Sequence, residues 1–303
     1  MTRPLAQRLA GAPISWGVCE VPGWGPQLPP PLVLQEMAAV GLCATEFGPD
    51  GFLPPAGVAR RQVLAQFGLR AVGGFVPVVA HDRDRDPLTE LGGLFEEFAA
   101  AGADTVVFAA VDGRDGYDGR TELDATGWNT LCRNLDRLAG AAVLRGLRPA
   151  LHPHVGTLVE RDNDLDIVLD GCGIPLCLDT GHLMVGGVDP LAVARLAADR
   201  VAHVHLKDVD PAIAARVRSG VLSYTDGVKA GMYRPLGQGG ARVAEVVSEL
   251  EGVGYDGWYV LEQDRVLVPD RNGVAAAAAA IRVDVEASLA HLTGAATAEL
   301  GAA

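Results

Sequence analysis

Residues 148–208 read RPALHPHVGTLVERDNDLDIVLDGCGIPLCLDTGHLMVGGVDPLAVARLAADRVAHVHLKD. Three apolar runs lie in this stretch, at 148–154, 175–178 and 201–206, and segments of helical periodicity at 165–170 and 191–198 separate them. The runs lack the strict polar alternation of a half-exposed strand, so they suit parallel strands buried on both faces. Strands alternating with helices in this way point to an α/β fold. Each run also stops on residues that carry chemistry. They are His152-Pro153-His154, then Asp179-Thr180-Gly181-His182, then His203-Val204-His205 with Lys207 and Asp208 behind.

The same alternation extends in both directions. Further strand candidates are 12–16, 43–47, 70–76, 105–110 and 258–262, with helical patterns at 32–40, 58–67, 88–101, 123–145, 241–252 and 274–292. Eight βα units predict a closed (β/α)8 TIM barrel, one domain spanning 1–303 with its core at about 11–293; an open doubly wound sheet is the alternative. No segment reads as an interdomain linker. The Pro- and Gly-rich 22–31 reads as a long loop at the barrel mouth, and the charge run 82–86 as a solvated loop. The long 208–240 segment suggests a lid or binding loop.

Composition narrows the function. Of 303 residues 49 % are hydrophobic but only 5 % aromatic, so the core is expected to rest on Ala, Val and Leu. With 25 basic against 38 acidic residues the formal charge is −13, which argues against nucleic acid or an anionic membrane as a partner. Cys19, Cys43, Cys132, Cys172 and Cys177 are scattered with no CxxC pair, as in a reducing compartment. Neither a signal peptide nor a membrane span is read, and the alanine run 275–280 belongs to a helix with charged residues after it. A cytoplasmic location is expected.

Barrels of this kind place their active site at the C-terminal ends of the strands. Trp16, Glu46, His152, His154, Asp179, His182, His205, Lys207 and Glu262 all fall there, and the histidines with Asp179 and Glu262 form a mixed nitrogen and oxygen set suited to one divalent cation. Side chains two apart share a face, so His152 pairs with His154 and His203 with His205, the latter nearer the mouth. His203 then reads as a buried, hydrogen-bonded neighbour, and His81 and His291 as ordinary exposed residues. Blander roles exist for others: Asp179 as a helix N-cap, Glu46 as partner to an arginine, His182 in a surface loop. Glu262 closes an apolar run and needs a partner if buried.

At these residues the chain resembles the xylose isomerase-like superfamily of sugar isomerases, epimerases and endonucleases, and within it the inosose (2-keto-myo-inositol) dehydratases. The matching segments are 12–17, 45–48, 152–157, 178–182, 203–208, 235–239, 254–258 and 262–264. The resemblance implies one divalent metal ion, manganese or cobalt first, magnesium or zinc as alternatives. It implies Asp179, His205 and Glu262 as ligands. Where many relatives carry a glutamate after the strand at 148–154, this chain has His152 and His154; Glu160, further on, is favoured as the ligand over His154. Pro153 departs from the run of histidines expected there.

Dehydrating a keto-inositol requires removing a proton α to the ketone, stabilising the enediolate and protonating the departing hydroxyl. On strand-end position His154 and His182 are the acid/base candidates, with Lys207 holding substrate oxygens. Trp16, Glu46 and His152 are expected to line the substrate pocket, and Lys229 and Arg234 to close over it. A small polyol or keto-sugar is the expected partner, together with further copies of the chain, as in many barrels of this group. A sugar epimerase or isomerase with the same metal–enediolate chemistry is the runner-up. Behind it stand a relative cleaving C-linked sugars and a non-catalytic sugar-binding barrel; the DNA-repair branch fits the charge poorly.

Overall fold

The computed structural model describes residues 3–268 and 273–300, so 1–2, 269–272 and 301–303 of the expected domain lie outside the described residues. Among the described residues eleven strands are formed. They are β1 (Leu9–Gly11), β2 (Ala44–Thr45), β3 (Arg70–Ala71), β4 (Gly73–Val78), β5 (Thr105–Ala110), β6 (Arg148–Leu151), β7 (Leu176–Asp179), β8 (Val201–Leu206), β9 (Asp208–Val209), β10 (Tyr233–Arg234) and β11 (Tyr259–Leu261).

Nine of them form one parallel sheet in the order β3-β2-β1-β11-β8-β7-β6-β5-β4. Its two ends, β3 and β4, are separated in sequence by Val72 alone. Val72 donates its N–H to the Thr45 carbonyl on one side and accepts from the Asp104 and Thr105 N–H groups on the other. The sheet thereby closes on itself as a barrel of eight staves. Small residues fill the bore, Ala10, Ala44, Val72 and Val260 in one cluster and Val107, Ala150 and Cys177 in another. Trp258 lies at its N-terminal end, with Arg3 and Arg70 guanidinium groups 4.8 and 5.2 Å from its ring and Asp104 accepting from its Nε1.

Several boundaries differ from expectation, each for a local reason. The first strand ends at Gly11, and Pro13–Trp16 is a 3-10 turn, because Pro13 fixes φ and offers no N–H to a ladder. The expected helix at 88–101 is two, Pro87–Leu91 and Leu94–Ala101, broken at Gly92-Gly93, where Gly92 has φ +52°. The 208–240 segment is not open loop. It carries helices Pro211–Arg218 and Tyr224–Lys229 and the antiparallel pair β9–β10, which pack a small second core of Tyr224, Val228, Met232 and Tyr233 against Trp24 and Val155.

Asp208 pins this excursion. Its carboxylate accepts N–H groups from Gly237 (2.8 Å), Gly239 (2.9 Å) and Ala241 (2.9 Å). A side chain at Gly239 would collide with that carboxylate and with the Val209 backbone, so the close approach requires glycine. Among the described residues, no helix is long and apolar enough to cross a membrane.

Candidate active site

Register and alternation bring the strand-end residues together. Asp179 is directly opposite His205 across β7–β8, and Val260 opposite His205 across β8–β11, which sets Glu262 one step higher on the same inward face. The ligand-capable atoms of Asp179, His205 and Glu262 all lie within 4.8 Å of one another. Overlapping sets of the same kind join His152, Asp179 and His182, then Glu46, His203 and His205, then His152, Cys177 and His205. All are buried.

Asp179 divides its two oxygens. Oδ1 accepts from the Gly181 and His182 N–H groups, both at 2.8 Å, and caps the helix Thr180–Gly186. Oδ2 faces the site, 3.1 Å from His152 Nε2, 3.5 Å from His205 Nδ1 and 3.4 Å from Lys207 Nζ. The capping role and the site role therefore coexist in one side chain.

Glu46 meets both histidines of β8, Oε1 lying 2.8 Å from His203 Nε2 and 3.0 Å from His205 Nε2. His205 Nε2 meets Glu46, and its Nδ1 faces Glu262 Oε2 (3.2 Å) and Asp179 Oδ2 (3.5 Å). That nitrogen is buried without a hydrogen-bond partner. Two carboxylates meeting one imidazole nitrogen call for a cation between them, a proton on Nδ1 or a metal ion. Burial opposes the ring's charge, but Cys177, Glu262 and Glu46 raise its pKa well above the ordinary histidine value. Three buried carboxylates, Asp179, Glu262 and Asp264, moreover surround the buried ammonium of Lys207, and a fourth, Glu46, meets His203 and His205. Both observations fit a divalent metal held here.

Lys207 lies 2.9 Å from Glu262, 3.0 Å from Asp264 and 2.8 Å from His182 Nε2. Burial opposes its charge, but Asp179, Asp264 and Glu262 raise its pKa well above the ordinary lysine value. Burial likewise opposes charge on Asp179, yet Lys207 and His182 hold it well below the usual carboxylate range. His154 and His182 stack at 3.7 Å between ring centroids. Burial first, then the charges of their neighbours, lowers both well below the ordinary histidine value. His154 donates Nδ1–H to the Val155 carbonyl at 2.7 Å, which leaves its Nε2 carrying the lone pair.

Not every expected residue joins the group. Glu160 accepts from the Gly156 N–H at 3.0 Å and lies 4.0 Å from Arg120, and it enters none of the metal-capable sets; His152 stands beside Asp179 instead. Trp16 is packed fully into the hydrophobic core, because the turn that follows Gly11 carries it away from the mouth, and Trp24 lines the cavity in its place. Lys229 is exposed at a helix end, and Arg234 bonds Asp210 at 3.0 Å; neither lines the cavity. Tyr233 takes the inward position beside Arg234, its ring centroid 5.5 Å from Lys207 Nζ.

Sequence reasoning assigned no role to Asp264, Tyr224, Tyr233 or Phe75. Asp264 was legible, two residues beyond Glu262. Tyr224 donates its hydroxyl to Asp264 at 2.9 Å, and Phe75 packs against His154 with ring centroids 5.7 Å apart. These contacts depend on the folding of 208–240 and on barrel closure.

A closed parallel barrel with buried histidines and carboxylates at the strand C-termini defines a class, and residues 35–283 match it: the chain belongs to the xylose isomerase-like TIM barrel family. It is an enzyme of this superfamily. Among relatives it is similar to the rhizopine catabolism protein MocC of Rhizobium meliloti, 32 % identical over 85 % of this chain and 82 % of the relative. It is also similar to an inosose dehydratase of Geobacillus kaustophilus, 30 % identical over 85 % of this chain and 87 % of the relative. Among solved structures, the IOLI protein with a zinc atom aligns with a TM-score of 0.67 at 14 % identity, covering 94 % of this chain and 97 % of that one. An L-ribulose 3-epimerase aligns with a TM-score of 0.66 at 16 % identity, over 98 % of each chain.

Proposed function

We propose that this enzyme removes water from a 2-keto cyclitol of the 2-keto-myo-inositol type, a small polyol substrate, in a metal-dependent lyase reaction. The observation that carries the reading is the convergence of His205 Nδ1, Asp179 and Glu262 inside a cavity walled by His154 and Lys207. The inosose dehydratase relatives support the choice of reaction.

Asp179, His205 and Glu262 would hold the metal, with His152 as the fourth donor in preference to Glu160 or His154. When bound, a divalent cation polarises the ketone and steadies the charge that develops on its oxygen. His154 Nε2, neutral and unprotonated, takes the proton α to the ketone. Lys207 and His182 share one proton across 2.8 Å and deliver it to the departing hydroxyl. Tyr224 and Asp264 orient Lys207 for that task. The polar wall thus supplies a base and an acid from separate side chains.

The test is an assay of the metal-free protein reloaded with manganese and given 2-keto-myo-inositol. Growth of enone absorbance that requires the metal is the expected result. Exchange of the α-proton for deuterium with no loss of water would replace this reading with that of an epimerase.

A further inference from the structure

The cavity at the barrel mouth measures about 720 Å³ and has two chemically different walls. One, drawn from residues 152–264, carries His152, His154, His205, Lys207, Glu262 and Asp264. The other, drawn from residues 47–98, carries Phe47, Leu53, Phe75, Leu91, Leu94 and Phe98. Even at about 30 Å³ per heavy atom, the share of a water molecule in the liquid, the twelve heavy atoms of a keto-inositol fill only about half of this space. Asp50, Arg60 and Glu97 also line this side; ring hydroxyls turned instead to Phe47, Phe75, Leu94 or Phe98 would find no hydrogen-bond partner, an arrangement that costs free energy.

Aromatic rings make up much of the apolar wall. Phe47 and Phe98 pack edge to face with ring centroids 5.0 Å apart. Gly74 lies beside them, where a Cβ would come within 3.0 Å of the Phe47 ring, so the wall stays open at that point. The Arg60 guanidinium covers Phe47 at 4.2 Å, and Phe75 carries the apolar surface up to His152 and His154. Aromatic edges and faces in this arrangement accept a further ring by offset or edge-to-face packing.

We infer that the substrate of this enzyme is a cyclitol bearing an aryl substituent, the ring of hydroxyls against the histidine wall and the aryl group against Phe47, Phe75 and Phe98. This rests on the keto-cyclitol reading above and narrows it to a substituted member of that class.

Calorimetric titration of the manganese-loaded full chain with myo-inositol and with a mono-O-benzyl-myo-inositol tests the inference. The benzyl ether should bind at least about tenfold tighter, as burial of a phenyl group allows. Leu94→Trp, which fills the apolar half, should bring the two ligands level, and Leu53→Trp serves the same purpose if the first variant does not fold. Equal or weaker binding of the benzyl ether, binding of neither ligand, or a gain that survives in both tryptophan variants overturns the inference. The dehydration assay is read separately. Its failure alone condemns the proposed reaction, whereas the ratio of the two affinities judges the aryl subsite.

Discussion

His205 gives Nε2 to Glu46 Oε1 across 3.0 Å, and that one contact decides which way its other nitrogen can act. Outer partners of this kind fix the tautomer and orientation of a ligating histidine, and their loss typically costs about 10–100-fold in metal affinity. Glu46→Ala should therefore weaken manganese binding by about that factor, read by chelator competition. Affinity unchanged from wild type would show that His205 is oriented by something else.

His152 and Glu160 compete for the fourth donor position. His152→Ala should lower metal affinity about tenfold or more, whereas Glu160→Gln should stay within about twofold of wild type. The reverse order in the same chelator competition would return the ligand to the loop.

Metal removal should cost stability, because it leaves buried carboxylates uncompensated. At a free manganese concentration a hundredfold above Kd, the bound ion adds about 2.7 kcal/mol. Urea unfolding of stripped and reloaded protein measures the difference; coincident curves would count against a resident cation.

Asp208 is expected to matter for folding more than for chemistry. Asp208→Ala strips four backbone N–H groups, those of Val209, Gly237, Gly239 and Ala241, of their acceptor and should cost about 3 kcal/mol. Denaturant titration reports it directly, and a loss below about 1 kcal/mol would mean that water replaces the carboxylate at little cost.

Asp164 supplies a pH dependence away from the cavity. It accepts from Arg120 at 2.8 Å and from the Arg161 N–H at 2.9 Å. Burial opposes its charge, but these partners hold its pKa below the ordinary aspartate value. The folded state thus binds this proton less readily than the unfolded chain. The stabilisation is complete above the unfolded value of about 3.9 and disappears as pH falls through the folded one. Asp164→Asn should flatten the loss of stability below about pH 4. A variant with the full wild-type slope would place that acid sensitivity elsewhere.

The barrel was legible because βα alternation is a local signal: the runs at 105–110 and 201–206 coincide with β5 and β8 to the residue. The grouping of Asp179, His205 and Glu262 rested on strand-end position and on the family resemblance, and the rule that alternate side chains of a strand share a face chose His205 over His203. Trp16 failed that rule because Pro13 ends the strand before it. Glu160 failed because a loop carboxylate can be satisfied nearby, here by the Gly156 N–H, without reaching the strand ends. The Tyr224–Asp264 contact spans 40 residues and is created by the docking of the 208–240 excursion, for which no periodicity gives a distance.

The shared duty of Asp179 ties two equilibria together. Whatever draws Oδ2 toward a cation also settles Oδ1 over the first turn of Thr180–Gly186, and a frayed turn would in return set that carboxylate loose. Occupancy and local order are then a single thermodynamic quantity, with each reporting the other. Hydrogen exchange at the Gly181 and His182 amides becomes a gauge of how full the barrel mouth is.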